Sequence, residues 1–201
     1  MNKKIVLIYP EFDPALEYWN KPYITKPYPP CSILSIGSYL KQKGYDVKII
    51  DNTMQKNWKE KIIQECKGAL AVGLSAMTLQ VKNALTVSKL IKDNFNIPII
   101  WGGIHPTLYP KQTCADSLVD FVVMEEGEET TFELLEKLEK DKSGINGIAY
   151  KKDGEVIVNQ QRPKTNMDDL PFFDFSLVNF DEYIFGKDID TRKKVRKAAL
   201  E

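Results

Sequence analysis

The chain has little cysteine, a single histidine and no excess of charge of either sign. Its 201 residues include three cysteines, and 28 basic residues balance 28 acidic ones. Cys31, Cys66 and Cys114 are odd in number and far apart, so they form neither a CxxC pair nor a disulfide framework. A balanced charge gives no indication of a nucleic-acid or anionic-membrane partner. We therefore expect a reduced, cytoplasmic protein without nucleic-acid or membrane partners.

Long apolar runs are also missing. None approaches the roughly 18 residues of a membrane-spanning helix. The apolar run at the N-terminus, residues 5–9, is shorter than the core of a signal peptide, and no small-residue cleavage site follows it. A short continuous run of this kind predicts a buried parallel strand instead.

Strand and helix patterns alternate from residue 4 onward. The predicted strands are 4–9, 46–51, 69–75, 98–102 and 121–124, and the predicted helices are 31–43, 58–66, 81–94, a short one near 111–118, and 129–140. Five such units predict an α/β fold with helices on both faces of a parallel sheet. We expect a flavodoxin-like, Rossmann-type doubly wound sheet in the order 2-1-3-4-5.

The pattern changes after about residue 140. Apolar residues alternate over 148–150 and 156–158 on either side of Lys152-Asp153-Gly154, which predicts a β-hairpin. Residues 162–174 are acidic and contain proline, as in a linker, and 192–197 form a charged tail that could begin a helix. We expect an α/β domain over residues 1–142, followed by a hairpin and linker over 143–201.

Small and polar residues follow three of the predicted strands. Ser75 and Thr78 come after the third, Gly102-Gly103 after the fourth and Gly127 after the fifth. In a parallel α/β sheet these loops share the carboxyl edge, where ligands bind. The alternative is that the glycines only make tight turns between strand and helix. Three such loops together favour a binding edge for a large, mostly neutral ligand.

Common ligands of this fold class do not fit the loops. A dinucleotide fingerprint needs G-x-G-x-x-G after the first strand, but residues 9–14 contain no glycine and carry two acids. Without those glycines, Asp51 at the end of the second strand is predicted to cap the strand rather than to bind a ribose. The same acidic loop lacks the hydroxyl residues of a flavin phosphate site, and Ser75 and its neighbours offer no phosphorylatable Asp for a receiver domain.

The loops together resemble the N-terminal cobalamin-binding domain of radical S-adenosylmethionine (SAM) enzymes. Related groups include the anaerobic magnesium-protoporphyrin monomethyl ester cyclases and the class B methyltransferases. The resemblance extends in register over residues 3–175. The segments that carry it are Pro29-Pro30, residues 43–47 with Ile50-Asp51, 72–78, 102–107 and 119–128, Asn146 to Tyr150, Asp153-Gly154 and Asp168 to Pro171.

The resemblance implies a role for each loop. Hydroxyls after the third strand would bond the nucleotide tail or ring amides, the paired glycines would make room for the tail, and the acidic loop would flank the corrin. His105 lies near the expected tail, so a hydrogen-bonding or structural role is implied rather than cobalt ligation. The implied cofactor-binding residues are Ser75, Met77, Thr78, Gly102, Gly103, Ile104, His105, Glu126, Gly127 and Glu128.

Two features depart from the wider pattern. The loop over residues 11–16 has no histidine, so the resemblance implies base-off cobalamin without a protein histidine on cobalt. Phe12, Tyr18, Trp19 and Tyr23 could cover the lower face of the ring or only pack over the sheet edge. The chain also lacks the C-x-x-x-C-x-x-C spacing that holds a 4Fe–4S cluster.

The resemblance therefore implies an N-terminal fragment. S-adenosylmethionine and the iron–sulfur cluster would bind only in a missing radical SAM domain of the same polypeptide, and the fragment alone would catalyse nothing. Two other functions stay open. One is a flavodoxin-like domain without cofactor that acts as an interaction or lid domain. The other is a small-molecule or nucleotide enzyme, although no acid/base or nucleophile constellation supports it.

Overall fold

A computed structural model of the protein describes residues 3–13, 28–55 and 57–185. Seven strands form one sheet in the order β2-β1-β3-β4-β5-β6-β7. They are β1 (Lys4–Tyr9), β2 (Asp46–Asp51), β3 (Ala71–Ser75), β4 (Ile99–Gly102), β5 (Phe121–Val123), β6 (Ile148–Lys152) and β7 (Glu155–Val158). The first five are parallel in the predicted order 2-1-3-4-5, which confirms the predicted fold class.

The predicted hairpin forms and joins this sheet. β6 pairs antiparallel with β5, and β7 pairs antiparallel with β6. Ile148, Ala149 and Tyr150 are buried, so one arm of the hairpin belongs to the core. The sheet thus has seven strands where the alternating units alone predicted five.

Helices cover both faces of the sheet. They are α1 (Cys31–Gln42), α2 (Trp58–Glu65), α3 (Val81–Asn94), α4 (Ile104–Leu108), α5 (Pro110–Ala115), α6 (Glu128–Glu136) and α7 (Phe180–Phe185). Apolar residues of α1 and α6 pack on one face with Leu7, Ile100 and Val123. Those of α2 and α3 pack on the other face with Val6, Val72 and Trp101. None of the helices among the described residues is long and apolar enough to cross a membrane.

Most predicted boundaries agree with the structure within two residues. Two differ more. Two short helices, α4 and α5, replace the single one predicted near 111–118, because Pro110 begins a new helix directly after Tyr109. α6 ends at Glu136, four residues before the predicted end. The charged tail 192–197 lies outside the described residues.

The segment after β7 lies along α6 and then α1. Arg162 donates to Thr130 of α6 at 2.8 Å, and its guanidinium pairs with Glu133. Farther on, the backbone N–H of Asp174 donates to Ser38 of α1 at 2.8 Å. The segment reaches the β2 edge of the sheet, where Tyr183 is buried. Both helices on this face are therefore tied to the same downstream segment.

Candidate functional site

A cleft of about 170 Å³ lies between α1 and α6 on one face of the sheet and reaches the carboxyl ends of β3, β4 and β5. Parallel strands of a doubly wound sheet place such a cleft where their order reverses, here between β1 and β3. The residues that line it are Leu7, Ser32, Ile33, Ile36, Gly73, Leu74, Ser75, Ile100, Gly102, Gly103, Val123, Glu125, Glu126, Gly127, Glu128 and Thr131.

The floor of the cleft is formed by strand residues, and Gly73 deepens it. Gly73 lies in the middle of β3 and lines the cleft; a Cβ added there would lie 2.8 Å from Cδ2 of Leu7 and would otherwise point into open space, with no other heavy atom of a non-adjacent described residue within 4 Å. Ile100 and Val123 continue the floor on β4 and β5. A side chain at position 73 would fill this space. A glycine inside a strand is a known signal of close approach by a ligand or another backbone, and it could have identified this residue from the sequence.

Two side-chain hydrogen bonds link the walls of the cleft. The hydroxyls of Ser32 on α1 and Ser75 on β3 lie 3.0 Å apart. Ser35 of α1 donates to Glu128 of α6 at 2.5 Å, and Glu128 is only 9% exposed. Because the Ser35 hydroxyl gives the Glu128 carboxylate a hydrogen-bond partner, this buried acid is held in place. Neither Ser32 nor Ser35 was among the predicted residues, since contacts between α1 and two distant elements leave no local signal.

The two adjacent glycines after β4 differ in their surroundings. A Cβ at Gly102 would make only an ordinary 3.5 Å contact with the Val123 carbonyl, and Gly102 borders the cleft. Gly103 has a φ of +96°, and a Cβ there would lie 2.9 Å from both the Ala76 nitrogen and Ser75 Oγ. Gly103 therefore lets the loops after β3 and β4 pack together, whereas the space beside Gly102 faces the cleft.

Four of the predicted residues lie on the adjoining sheet edge and do not line the cleft. Thr78 Oγ1 and His105 Nδ1 are 3.2 Å apart, which joins the loops after β3 and β4. Partial burial lowers the pKa of His105, so the neutral imidazole is favoured. Ile104 is 61% exposed and Met77 is half-buried. The other six, Ser75, Gly102, Gly103, Glu126, Gly127 and Glu128, all line the cleft.

A buried glutamine holds the first loop against the third. Gln80 is fully buried, donates from Nε2 to the Pro10 carbonyl at 2.7 Å and accepts from the Met77 N–H at 2.9 Å. Phe12, in that first loop, is 40% exposed. The other aromatics considered as cover for a ring, Tyr18, Trp19 and Tyr23, lie outside the described residues.

The rim near β5 contains a strained backbone position. Glu125 adopts a φ of +56°, in the left-handed region that non-glycine residues seldom occupy. Its N–H donates to the Thr107 hydroxyl of α4 at 2.8 Å, which supports this conformation. Sparsely populated backbone conformations of this kind cluster at ligand clamps and other functional sites.

The acid at the end of β2 is already engaged. Asp51 is buried and accepts from the Thr53 N–H and hydroxyl at 2.9 and 2.6 Å and from the Tyr183 hydroxyl at 2.8 Å. The Asp51–Thr53 bonds agree with the strand-end cap predicted from the sequence. A ribose would have to displace Tyr183, so the arrangement does not favour a dinucleotide.

A larger cavity of about 820 Å³ lies elsewhere, between the β2 edge, the start of α2 and residues 176–183. It is bounded by the chain's own downstream segment and lies away from the glycine-bearing loops. Among the described residues, its lining includes Lys61, Asn57 and Glu182 but no glycine. The smaller cleft is the better candidate for a bound cofactor.

The described residues contain no cluster of three or more His, Cys, Asp or Glu side chains that could hold a metal ion. Burial raises the pKa of the Cys66 thiol to about 12 and that of Cys114 to about 11, so both remain protonated near neutral pH. Cys31 is exposed, and all three thiols are free. These cysteines do not supply an iron–sulfur site.

Comparison with known families gives one match that covers more than half of the chain. The family model for the B12 binding domain matches residues 23–135. That range includes the strand ends and helices that form the cleft.

Two curated relatives share the same function name. The anaerobic magnesium-protoporphyrin IX monomethyl ester cyclase of Synechocystis is 27% identical over 165 residues, and that of Rubrivivax gelatinosus is 28% identical over 169. The alignments cover 78% and 79% of this chain but 33% and 30% of those enzymes. The chain thus corresponds to about a third of the length of these relatives.

Solved structures with a similar fold include two cobalamin-bound enzymes. The radical S-adenosylmethionine methyltransferase TsrM from Kitasatospora setae, solved with cobalamin and a 4Fe–4S cluster, has a TM-score of 0.66 at 16% identity. The cobalamin-dependent radical enzyme OxsB with aqua-cobalamin has a TM-score of 0.69 at 23% identity. The matches cover 80% and 84% of this chain and 31% and 24% of those proteins. At these identities the likeness concerns the fold alone.

Proposed function

Since this chain belongs to the B12-binding domain family, we propose that it is the cobalamin-binding module of a larger B12-dependent radical SAM enzyme. The observation that carries the proposal is the cleft between α1 and α6, which opens at the carboxyl edge of the sheet and is deepened by the missing side chain of Gly73. A Cβ would fill that space, so the residues present fit an inserted ligand segment.

The cleft residues would hold the nucleotide tail of the cofactor. Gly73 and Gly102 leave space along the strands, and Ile33 and Ile36 supply an apolar wall. Ser75 would exchange its bond with Ser32 for a bond to the ligand, which costs little because each hydroxyl can rotate to a new partner.

The residues around the mouth of the cleft would contact the corrin periphery. Thr78 and His105 present hydroxyl and imidazole groups, Met77 and Ile104 supply apolar surface, and Glu126 to Glu128 offer carboxylate and backbone groups to corrin amides. His105 lies on the loop after β4 with its Nδ1 3.2 Å from the Thr78 hydroxyl, and we assign this pair a hydrogen-bonding role at the corrin periphery rather than cobalt ligation. With the nucleotide base in the cleft and no histidine on cobalt, the cofactor would be bound base-off.

Bound cobalamin would supply a cobalt centre for methyl transfer or oxidative cyclisation in the complete enzyme. S-adenosylmethionine and a 4Fe–4S cluster would bind in a radical SAM domain of the same polypeptide, which is the partner we propose for this module. The three free thiols of this chain are compatible with a reducing, cytoplasmic environment.

The test is a titration of the purified protein with hydroxocobalamin, followed by gel filtration and a visible spectrum. We expect corrin absorbance to co-elute with the protein in a stoichiometric ratio. G102A should weaken binding, because its methyl group would occupy the cleft without disturbing the fold. G144A is the matched control, since a Cβ there meets no atom within 4 Å.

Complete loss of corrin from a folded protein would contradict the proposal. It would favour the alternative that the chain is a flavodoxin-like domain without cofactor that serves as an interaction or lid domain. Equal binding by G102A and the parent chain would show that the ligand does not enter the cleft beside Gly102.

A further inference from the structure

The interior of the cleft is apolar, although its mouth carries polar groups. Leu7, Ile100 and Val123 form the floor and are each no more than 3% exposed. Ile33 and Ile36 of α1 form the facing wall. A ligand segment that enters this space therefore contacts carbon atoms on both sides.

Four of the six polar side chains that line the cleft already have partners. Ser32 and Ser75 bond to each other at 3.0 Å, and Glu128 accepts from Ser35 at 2.5 Å. Glu126 accepts from the backbone N–H of Thr165 at 2.7 Å. Because the floor and the facing wall are apolar, a polar group that lies between them has no side-chain hydrogen-bond partner there among the described residues.

We propose that this cleft selects among corrinoids by the polarity of the base on their nucleotide tail, and that it takes an apolar benzimidazole in preference to adenine. The inference rests on the proposed function and adds the chemical class of the tail. Natural corrinoids share the ring but differ in this base. 5,6-Dimethylbenzimidazole carries two methyl groups where adenine carries an amino group and further ring nitrogens.

The preference for dimethylbenzimidazole follows from the polar atoms of adenine, which would find no hydrogen-bond partners inside the cleft. Adenine and dimethylbenzimidazole are both flat bicyclic bases, so shape alone separates them poorly. The amino group and ring nitrogens of adenine would lose their water on entry and meet isoleucine, leucine and valine instead. Apolar pockets reject a more polar ligand of similar shape by roughly a hundredfold at most. We therefore expect between about tenfold and a hundredfold weaker binding of the adenine form.

The experiment compares three corrinoids by fluorescence quenching or isothermal titration with the purified chain. They are cobalamin, the cobamide with adenine as base, and cobinamide, which lacks the nucleotide. We expect cobalamin to bind more tightly than the adenine form by at least about tenfold, and cobinamide to bind more weakly than cobalamin.

A matched pair of variants assigns the selectivity to the cleft. V123T places a hydroxyl on the floor at nearly unchanged volume and should reduce the ratio of the two affinities severalfold. V158T makes the same change on β7, where Val158 is 42% exposed and outside the cleft. It should leave the ratio unchanged. Circular dichroism of both variants checks that each remains folded.

The outcomes separate this inference from the function on which it rests. Equal affinity for cobalamin and the adenine cobamide, or tighter binding of the adenine form, overturns the selectivity but leaves cobalamin binding intact. A ratio that changes equally in V123T and V158T also overturns it. Failure of all three corrinoids to bind the folded chain overturns the proposed function itself.

Discussion

At the residue scale, Gly102, Gly103 and Tyr183 have different structural roles. Gly103 is required by the packing of two loops, whereas Gly102 borders open space in the cleft. Tyr183 supplies a hydrogen bond to Asp51, and both residues are buried. Each role depends on a specific neighbour, so a single substitution tests it.

For G103A we expect a loss of folding stability of about 1–3 kcal/mol from backbone strain, with an added steric cost against Ala76. The φ of +96° and the 2.9 Å approach to the Ala76 nitrogen leave no room for a methyl group. Urea denaturation measures the change, and G144A is the control. Equal stability of G103A and the parent chain would show that the loop relaxes freely.

For Y183F we expect destabilisation of about 1–3 kcal/mol, because the buried Asp51 carboxylate loses a donor at 2.8 Å. Burial, then the Asp51 charge, raises the pKa of Tyr183, so this hydroxyl is protonated at neutral pH and can donate. The matched control is Y28F, at a tyrosine that is 81% exposed. Similar unfolding midpoints for the two variants would contradict the role of the bond.

At the scale of elements, the segment after β7 braces the two helices that form the walls of the cleft. Arg162 bonds Thr130 of α6, and Asp174 bonds both Lys41 and Ser38 of α1. Leu177 Cδ1 lies 3.2 Å from the position a Cβ would take on Gly37, which shows how closely this segment packs on α1. The positions of the cleft walls are thus coupled to the segment that leads away from the sheet.

The contact between Asp174 and α1 predicts a pH dependence. Hydrogen bonds from the Lys41 ammonium and from Ser176 lower the pKa of Asp174 from 3.8 to about 2. A lowered pKa in the folded state means that the stabilisation is complete above pH 3.8 and is lost as pH falls toward about 2. The Asp174 side chain is 36% exposed, so we expect less than about 1 kcal/mol.

The measurement is urea denaturation of D174N and the parent chain at about pH 7 and about pH 2. D174N should be less stable at neutral pH and equal to the parent chain at the acidic end. An undiminished difference at about pH 2 would contradict the assignment to this carboxylate.

At the scale of the whole molecule, the hairpin completes the sheet. β6 pairs along all of β5, and Ile145 and Ile148, just before and within β6, are fully buried. Without these residues the edge of β5 and part of the core on the α1–α6 side would face water. A boundary near residue 142, as the change of composition suggested, would cut through this packing.

A chain that ends at residue 142 should therefore unfold at least about 10 °C below one that ends at residue 158, since it loses two buried isoleucines and the β5 pairing. Scanning calorimetry of the two truncated chains and the full chain makes the comparison. Equal midpoints for the two truncations would place the boundary at 142 after all.

The sequence alone determined the order of elements and the edge on which the loops meet. Apolar runs such as Ile5–Tyr9 and helical spacing such as that of α3 can be identified because they depend on near neighbours in the chain. The alternation of strands and helices then restricts the possible strand orders of the sheet to a few. Gly102-Gly103 and Gly127 could be assigned to one edge for the same reason. Gly73 was also readable as a signal of close approach.

Only the tertiary structure decided what forms the cleft and how it is held. Ser32 and Ser75 are 43 residues apart, Ser35 and Glu128 are 93 apart, and Tyr183 and Asp51 are 132 apart. Such contacts leave no periodicity or spacing in the sequence, because they depend on how helices pack over the finished sheet. Gly102 and Gly103 are adjacent glycines that the sequence does not distinguish. Only the structure shows that Gly102 borders the cleft and that Gly103 fits against Ala76.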